Sequence, residues 1–299
     1  MKHLLIQDKF FDGAKDLRNY YEEQFRNPRE THNQRFVWDY WHVPDQYTLL
    51  RTPAYYYFPK KMYEQLHRRI VQWGRENLGC HDISAPWMSY YVNGCQQQLH
   101  SDVPHGPWAF VYSLTPWKQR QWSGGETLIL KPQVLDYWSH FVDEKDRELN
   151  SFVDRVPAQF NRLVVFDPRF PHGVTEVRGT QDPLQARLVI HGWFVEPRPY
   201  VVGGLSTQAV QNSLQQPLMS LQALIEHVGA VHGTMSFRIK VSADGQVVNF
   251  KWLTNTVHGL EAHAEQIKVL NNGIRKLFMN TSFRKAKTPS EITVPLLFK

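Results

Sequence analysis

Cysteine is scarce in this chain, with only Cys80 and Cys95 among 299 residues. Two thiols cannot make the disulfide framework of a small secreted domain. Both are read as reduced, and the chain as cytoplasmic. Long apolar runs are missing as well. The opening MKHLLIQ has three consecutive apolar residues before Gln7, too few for the core of a signal peptide. No later run reaches membrane-spanning length. Blocks of five or more like charges are also absent, which removes the usual basic arm of a nucleic-acid-binding protein. Neither a membrane nor a nucleic acid is therefore expected as partner.

What is present points to a folded protein. Hydrophobic residues make up 42% and aromatics 13%, enough for a sizeable core. The net charge of +6 favours an anionic partner. The length suits one large domain and one small one. Residues 14–26 and 60–78 have helical texture. In the second stretch Met62, Leu66, Ile70 and Trp73 share one face, with Pro59 before the start and Gly79 after the end.

From residue 86 short apolar runs alternate with Gly, Pro and Asp. MSYYV, AFVYSL, ETLIL, RLVVF and ARLVIHGWFV read as strands of a sandwich or barrel. Residues 133–155 read as a helical or looped insertion. Glu196–Gln208, with two prolines and two glycines, is the linker candidate. A helix over 208–229 follows, interrupted early at Pro217. Then come two strands joined at Asp244-Gly245, a helix carrying Leu260, Ile267, Ile274 and Leu277, and a last strand, ITVPLLF. The domains are accordingly placed at 1–199 and 218–299, with 200–217 as linker and helix start.

The segment Gln98-Leu99-His100-Ser101-Asp102 places two metal-ligating side chains at i and i+2. At the end of an extended strand they point the same way. His172, just after RLVVF, supplies a third ligand. Two histidines and one carboxylate leave open positions on an iron. Arg187 opens a strand whose next residues, Leu188, Val189 and Ile190, are all apolar. A buried arginine there needs an anionic partner.

These pieces stand in a set order. Tyr91 and Gly94 precede His100 and Asp102. Gly124-Gly125-Glu126-Thr127 and Asn161-Arg162-Leu163-Val164-Val165-Phe166 follow, then His172, Arg187 and Gly192-Trp193-Phe194. Residues 88–195 thereby resemble the prolyl-4-hydroxylase-like branch of the Fe(II)/2-oxoglutarate-dependent oxygenases. The resemblance implies a mainly β fold with flanking helices: a double-stranded β-helix (jelly roll) over about 86–196, with helical support from the N-terminal region. It implies Fe(II) on His100, Asp102 and His172, and 2-oxoglutarate held by Arg187 and hydrogen-bonded by Tyr91. Ascorbate is a candidate reductant. The implied activity is hydroxylation of an unactivated C–H bond in a peptidyl or free amino-acid side chain, with release of succinate and CO2. The family often has Ser two residues after the arginine, where this chain has Val189. Asp102 keeps the carboxylate that halogenating relatives lack.

Other readings stand beside these. The substrate is a peptide, a protein or a small molecule, the last making the chain a tailoring hydroxylase of a natural product. A binding module on the same scaffold would lose a member of the triad, and none is lost. His105, His140 and His191 are rival ligands or packing histidines, and Gly124 and Gly125 read as a backbone turn. Trp108, Trp117, Trp122 and Trp138 are candidates for a substrate wall. Residues 218–299, a small α+β region, resemble the C-terminal domain of TonB-like transducers through Gly233-Thr234, Asp244-Gly245, Asn255-Thr256 and Ile292-Thr293-Val294-Pro295. That region is expected to be separable from the chemistry and to serve protein contact, including a homodimer.

Overall fold

A computed structural model describes residues 3–103, 105–134, 152–259 and 264–298. The chain divides into two compact units. One comprises Leu4–Ile70 and Ile83–Phe194. The other comprises Met1–His3, Val71–Asp82 and Val195–Lys299. The strands in chain order are β1 (Leu4–Gln7), β2 (Asp39–Val43), β3 (Tyr47–Pro53), β4 (Cys80–Ile83), β5 (Trp87–Tyr91), β6 (Gln96–His100), β7 (Trp108–Ser113), β8 (Thr127–Leu130), β9 (Val153–Val156), β10 (Arg162–Phe166), β11 (His172–Val174) and β12 (Arg187–Pro197). The helices of this part are α1 (Ala14–Arg26), the single turn α2 (Ala54–Tyr57) and α3 (Lys60–Leu78).

The first unit is an antiparallel sheet ordered β1-β10-β7-β12-β5-β3-β6-β11-β8-β9, with β2 paired to β3. It curls into the double-stranded β-helix expected from the sequence. β10 and the first four residues of β12 are almost wholly buried, as their unbroken apolar runs require. Asn161 sits in the left-handed region at φ 59°. Its side chain accepts from Phe11 N at 2.9 Å and donates to Phe11 O at 2.9 Å, tying the segment before α1 to the start of β10. α1 buries Leu17 and Tyr21. The insertion expected at 133–155 falls mostly outside the described residues, with Trp138 and His140 among those not described.

The second unit holds β13 (Tyr200–Gly203), α4 (Thr207–Val228), β14 (Val231–Val241), β15 (Val247–Asn255), β16 (His258–Gly259), α5 (Ala264–Met279) and β17 (Ser290–Phe298). Its sheet runs β13-β17-β14-β15, with β16 on β14. The stretch read as linker thus includes a strand, β13, in register with Ser290–Thr293. α4 runs through Pro217 without the expected interruption. The missing N–H forfeits one hydrogen bond, to Ser213 O four residues back. Pro217 is itself buried, and Leu214 and Leu221 are buried one turn to either side. Ile274 is buried in α5, while Leu260 lies outside the described residues. At the β14–β15 hairpin Gly245 has φ 86°, and a Cβ there would stand 2.1 Å from Phe283 O. No other residue type fits that turn. The last carbonyls of α3 are capped within this unit. Glu76 O accepts from Thr293 Oγ1 at 3.0 Å and from Arg238, and Asn77 O accepts from Ser236 Oγ at 2.9 Å.

No described helix is long and apolar enough to cross a membrane.

Candidate active site

The curl of the first unit encloses a cavity of about 700 Å3. Three neighbouring strands face alternate residues into it: Tyr47, Leu49 and Arg51 from β3, Trp87 and Tyr91 from β5, and Arg187, Val189, His191 and Trp193 from β12. β6 and β11 close another side with His100 and His172. The volume is that of a small-molecule site.

Antiparallel pairing of β6 with β11 puts His100 and His172 directly across from each other. Their ring centroids are 4.4 Å apart. Asp102 lies just past the end of β6, held by a hydrogen bond from its N to Pro168 O at 3.0 Å. Each imidazole gives its Nδ1–H to a carbonyl two residues upstream: His100 to Gln98 O at 2.8 Å and His172 to Phe170 O at 3.0 Å. This matching arrangement fixes the tautomer and turns both Nε2 lone pairs toward Asp102. Asp102 Oδ2 lies 3.1 Å from His172 Nε2, and Oδ1 lies 3.5 Å from His100 Nε2. One ligand atom from each residue falls within a 4.8 Å cluster. Burial pushes the Asp102 carboxyl up, but the adjoining imidazoles of His172 and His100 outweigh it and hold its pKa low. Burial pushes the His100 pKa down. A carboxylate and two neutral imidazoles are the forms that bind a metal, and this donor set fits Fe(II).

Arg187 is 1% exposed. Its Nε donates to Gly125 O at 2.8 Å and its Nη2 to Thr127 Oγ1 at 3.1 Å. Nη1 is buried and meets no hydrogen-bond acceptor among the described residues. Such an orphan donor on a cation, in a cavity wall, fits an incoming carboxylate. Tyr91 is the register partner of Arg187, and its ring centroid lies 4.6 Å from the guanidinium carbon. Burial raises the Tyr91 pKa against the opposing pull of Arg187, so the phenol stays protonated and able to donate. Gly124 and Gly125 form the turn entering β8, at φ 78° and 75°. A Cβ on Gly124 would stand 1.8 Å from Glu176 O.

The structure brings His100, Asp102, His172, Arg187 and Tyr91 to one cavity. Of the rival histidines, His105 stacks on Trp193 at 4.5 Å, and His191 lies 2.9 Å from Ser89 Oγ. Burial, followed by the charge of Arg187, drives the His191 pKa down to about 4. The expected tryptophan wall needs correction. Trp108, Trp117 and Trp122 are buried away from the cavity, the last two packed edge-on at 5.6 Å, while Trp41, Trp87 and Trp193 line it. Tryptophan content alone does not tell which face of a strand an indole takes. Sequence reasoning also missed Thr127, whose hydroxyl reaches Arg187 from another strand, and Arg51. Thr127 had a signal in its place after Gly-Gly-Glu. Arg51 had none, because β2 and β3 were not read as strands.

Residues 86–195 match the family model of the 2OG-Fe(II) oxygenase superfamily. No curated protein matches the chain. Among solved structures, a Pseudomonas putida prolyl-4-hydroxylase aligns at 16% identity and a TM-score of 0.44, covering 66% of this chain and 94% of that one. An oxidoreductase of the 2OG-Fe(II) oxygenase family from Burkholderia pseudomallei aligns at 15% identity and 0.42, covering 64% and 84%. The non-heme alpha-ketoglutarate-dependent epimerase SnoN of nogalamycin biosynthesis aligns at 13% and 0.41, covering 64% and 77%. The matched segment, residues 86–195, is the one that carries the curled sheet and its cavity, and over it this chain is similar to the 2OG-Fe(II) oxygenase superfamily.

Proposed function

We propose that this chain is a 2-oxoglutarate-dependent oxygenase that hydroxylates an unactivated C–H bond in an amino-acid side chain, free or peptidyl, with His100, Asp102 and His172 holding Fe(II) and Arg187 holding the distal carboxylate of 2-oxoglutarate. The observation that carries this reading is the meeting, in one cavity, of three convergent donor atoms and a buried guanidinium with an unused N–H. Bound Fe(II) supplies the coupling of 2-oxoglutarate decarboxylation, to succinate and CO2, with oxidation of the substrate.

The chain's own residues do the rest. Gln98 O and Phe170 O accept from each Nδ1–H, which leaves each Nε2 as the ligand atom. Gly125 O and Thr127 Oγ1 aim the guanidinium of Arg187, leaving Nη1 for the co-substrate. Thr127 takes the part of the hydroxyl that Val189 lacks. Tyr91, protonated and against Arg187, offers a second donor to the same anion. Leu49, Phe110, Phe166 and Val189 keep the cavity walls apolar, which strengthens each charge contact made inside.

The test is equilibrium binding of Fe(II), then 2-oxoglutarate, to the full chain without oxygen. His100→Ala and His172→Ala should lose stoichiometric Fe(II). Arg187→Gln should keep Fe(II) and bind 2-oxoglutarate at least about 30-fold more weakly, as loss of a buried charge-assisted pair requires. Full Fe(II) content in both histidine variants would show the ligands to be misassigned.

A further inference from the structure

A second guanidinium stands in the cavity wall. Arg51 on β3 is in register with Ser89 of β5 and lines the same space as Arg187. Its Cζ lies 3.2 Å from the Trp41 ring centroid and 4.2 Å from that of Trp87. These contacts use the charge of the group but none of its N–H donors. Its Nε is buried and without an acceptor. Arg51 forms no hydrogen bond or ion pair among the described residues. Asp39, its register partner on β2, is exposed and attracts it only at longer range, as do Tyr47 and Tyr91.

The two cations occupy different rows of the wall. Arg187 is level with Tyr91, and Arg51 is level with Ser89, two residues along β5 and about 7 Å away on that strand. His191, on β12 one row beyond Ser89, lines the same wall and is kept neutral by burial. Asp102 is already engaged with two histidines. A carboxylate seated on Arg187 therefore leaves Arg51 facing the remaining cavity without a counter-charge. A half-buried cation held in place by two indoles is pre-organised for a planar anion.

We infer that Arg51 is a specificity-determining residue that takes the carboxylate of the substrate to be oxidised. The substrate class is then a small carboxylic acid, such as a free or N-acylated amino acid, rather than a residue inside a peptide. This rests on the reading of Arg187 as the co-substrate's anchor.

The experiment uses the full chain loaded with Fe(II) and saturating 2-oxoglutarate without oxygen. The probes are a panel of N-acetyl amino acids, each paired with its carboxamide. Binding is followed by calorimetry and by the fluorescence of the tryptophans around the site. The inference expects at least one acid to bind at millimolar concentration or better, its amide to bind about 10- to 100-fold more weakly, and Arg51→Gln to remove that preference. Arg51→Lys, which keeps the charge but not the fork, should fall between. Both variants should bind 2-oxoglutarate as the parent does, which also reports that they are folded. Three results would overturn the assignment: no acid binding, equal binding of acid and amide, or an Arg51→Gln variant that keeps the preference. Loss of 2-oxoglutarate binding in Arg51→Gln would overturn it too, by placing Arg51 in the co-substrate's anchor. Failure of Arg187→Gln to weaken 2-oxoglutarate is a separate result, and it counts against the earlier reading.

Discussion

His191 is a neutral base in a wall that also carries two guanidinium groups. Burial and Arg187 hold its pKa at about 4, against an ordinary 6.5. The folded chain therefore binds fewer protons here than the unfolded chain over that interval. The stabilising contribution is complete above about pH 6.5 and is lost as the pH falls toward 4. With the cavity open to water, the loss is about 1–3 kcal/mol. His191→Gln, which keeps a partner for Ser89, should flatten this part of the stability curve. Thermal melts of parent and variant between pH 7 and pH 4 measure it, and parallel curves would show that His191 is not the group responsible.

The turn into β8 is the element on which the proposed anchor depends. Gly124 and Gly125 both take left-handed backbone, and Gly125 supplies the carbonyl that orients Arg187. Gly124→Ala meets the backbone oxygen of Glu176 and should cost about 2–4 kcal/mol of stability. In Gly125→Ala the new methyl stands 2.7 Å from the Trp122 ring and 3.2 Å from Arg187 Cδ. That variant should lower the melting temperature and also weaken 2-oxoglutarate binding. A variant whose melting temperature falls while 2-oxoglutarate affinity is unchanged would separate the turn from the anchor.

Elements of this kind differ in how plainly the sequence announces them. The strands β5, β7, β8, β10 and β12 were legible because burial on one or both faces writes apolar runs into them. So were α1 and α3, through apolar residues at helical spacing. β6 is Gln-Gln-Gln-Leu-His and mostly exposed or half-buried, so it shows no alternation, and only its histidine betrayed it. The β2–β3 hairpin is similarly open to solvent, and the arginine it carries into the cavity went unseen. Pairing across the curl, such as His100 with His172, is a long-range fact that local periodicity does not encode.

At the scale of the whole chain, the C-terminal region does not stand apart from the helix that precedes the jelly roll. Val71–Asp82 belongs to the same compact unit as Val195–Lys299. Within it, Ser236, Arg238 and Thr293 satisfy the carbonyls of Glu76 and Asn77, and a Cβ on Gly79 would meet the Pro295 ring at 2.6 Å. A chain ending near Val201 leaves those carbonyls to water and strips the apolar cover from the end of α3. Each lost hydrogen bond costs about 0.5–1.5 kcal/mol, before the exposed apolar surface is added. The expected outcome is a truncated protein that melts well below the parent or is recovered insoluble. A soluble truncation with the parent's melting temperature would restore the expectation of a separable region.

The pairing of His100 with His172 has a topological consequence. The two residues are 72 positions apart (172 − 100) yet lie face to face on strands that close the curl. An ion shared between them is a removable clasp across a long loop, whose closure entropy it draws from the unfolded chain. Because side chains alternate along a strand, a slip of β11 by one residue against β6 would turn His172 out of the cavity. On the proposed ligand set the clasp would close only on the correctly registered sheet, so that taking up the metal would double as a check that the curled sheet has been assembled in phase.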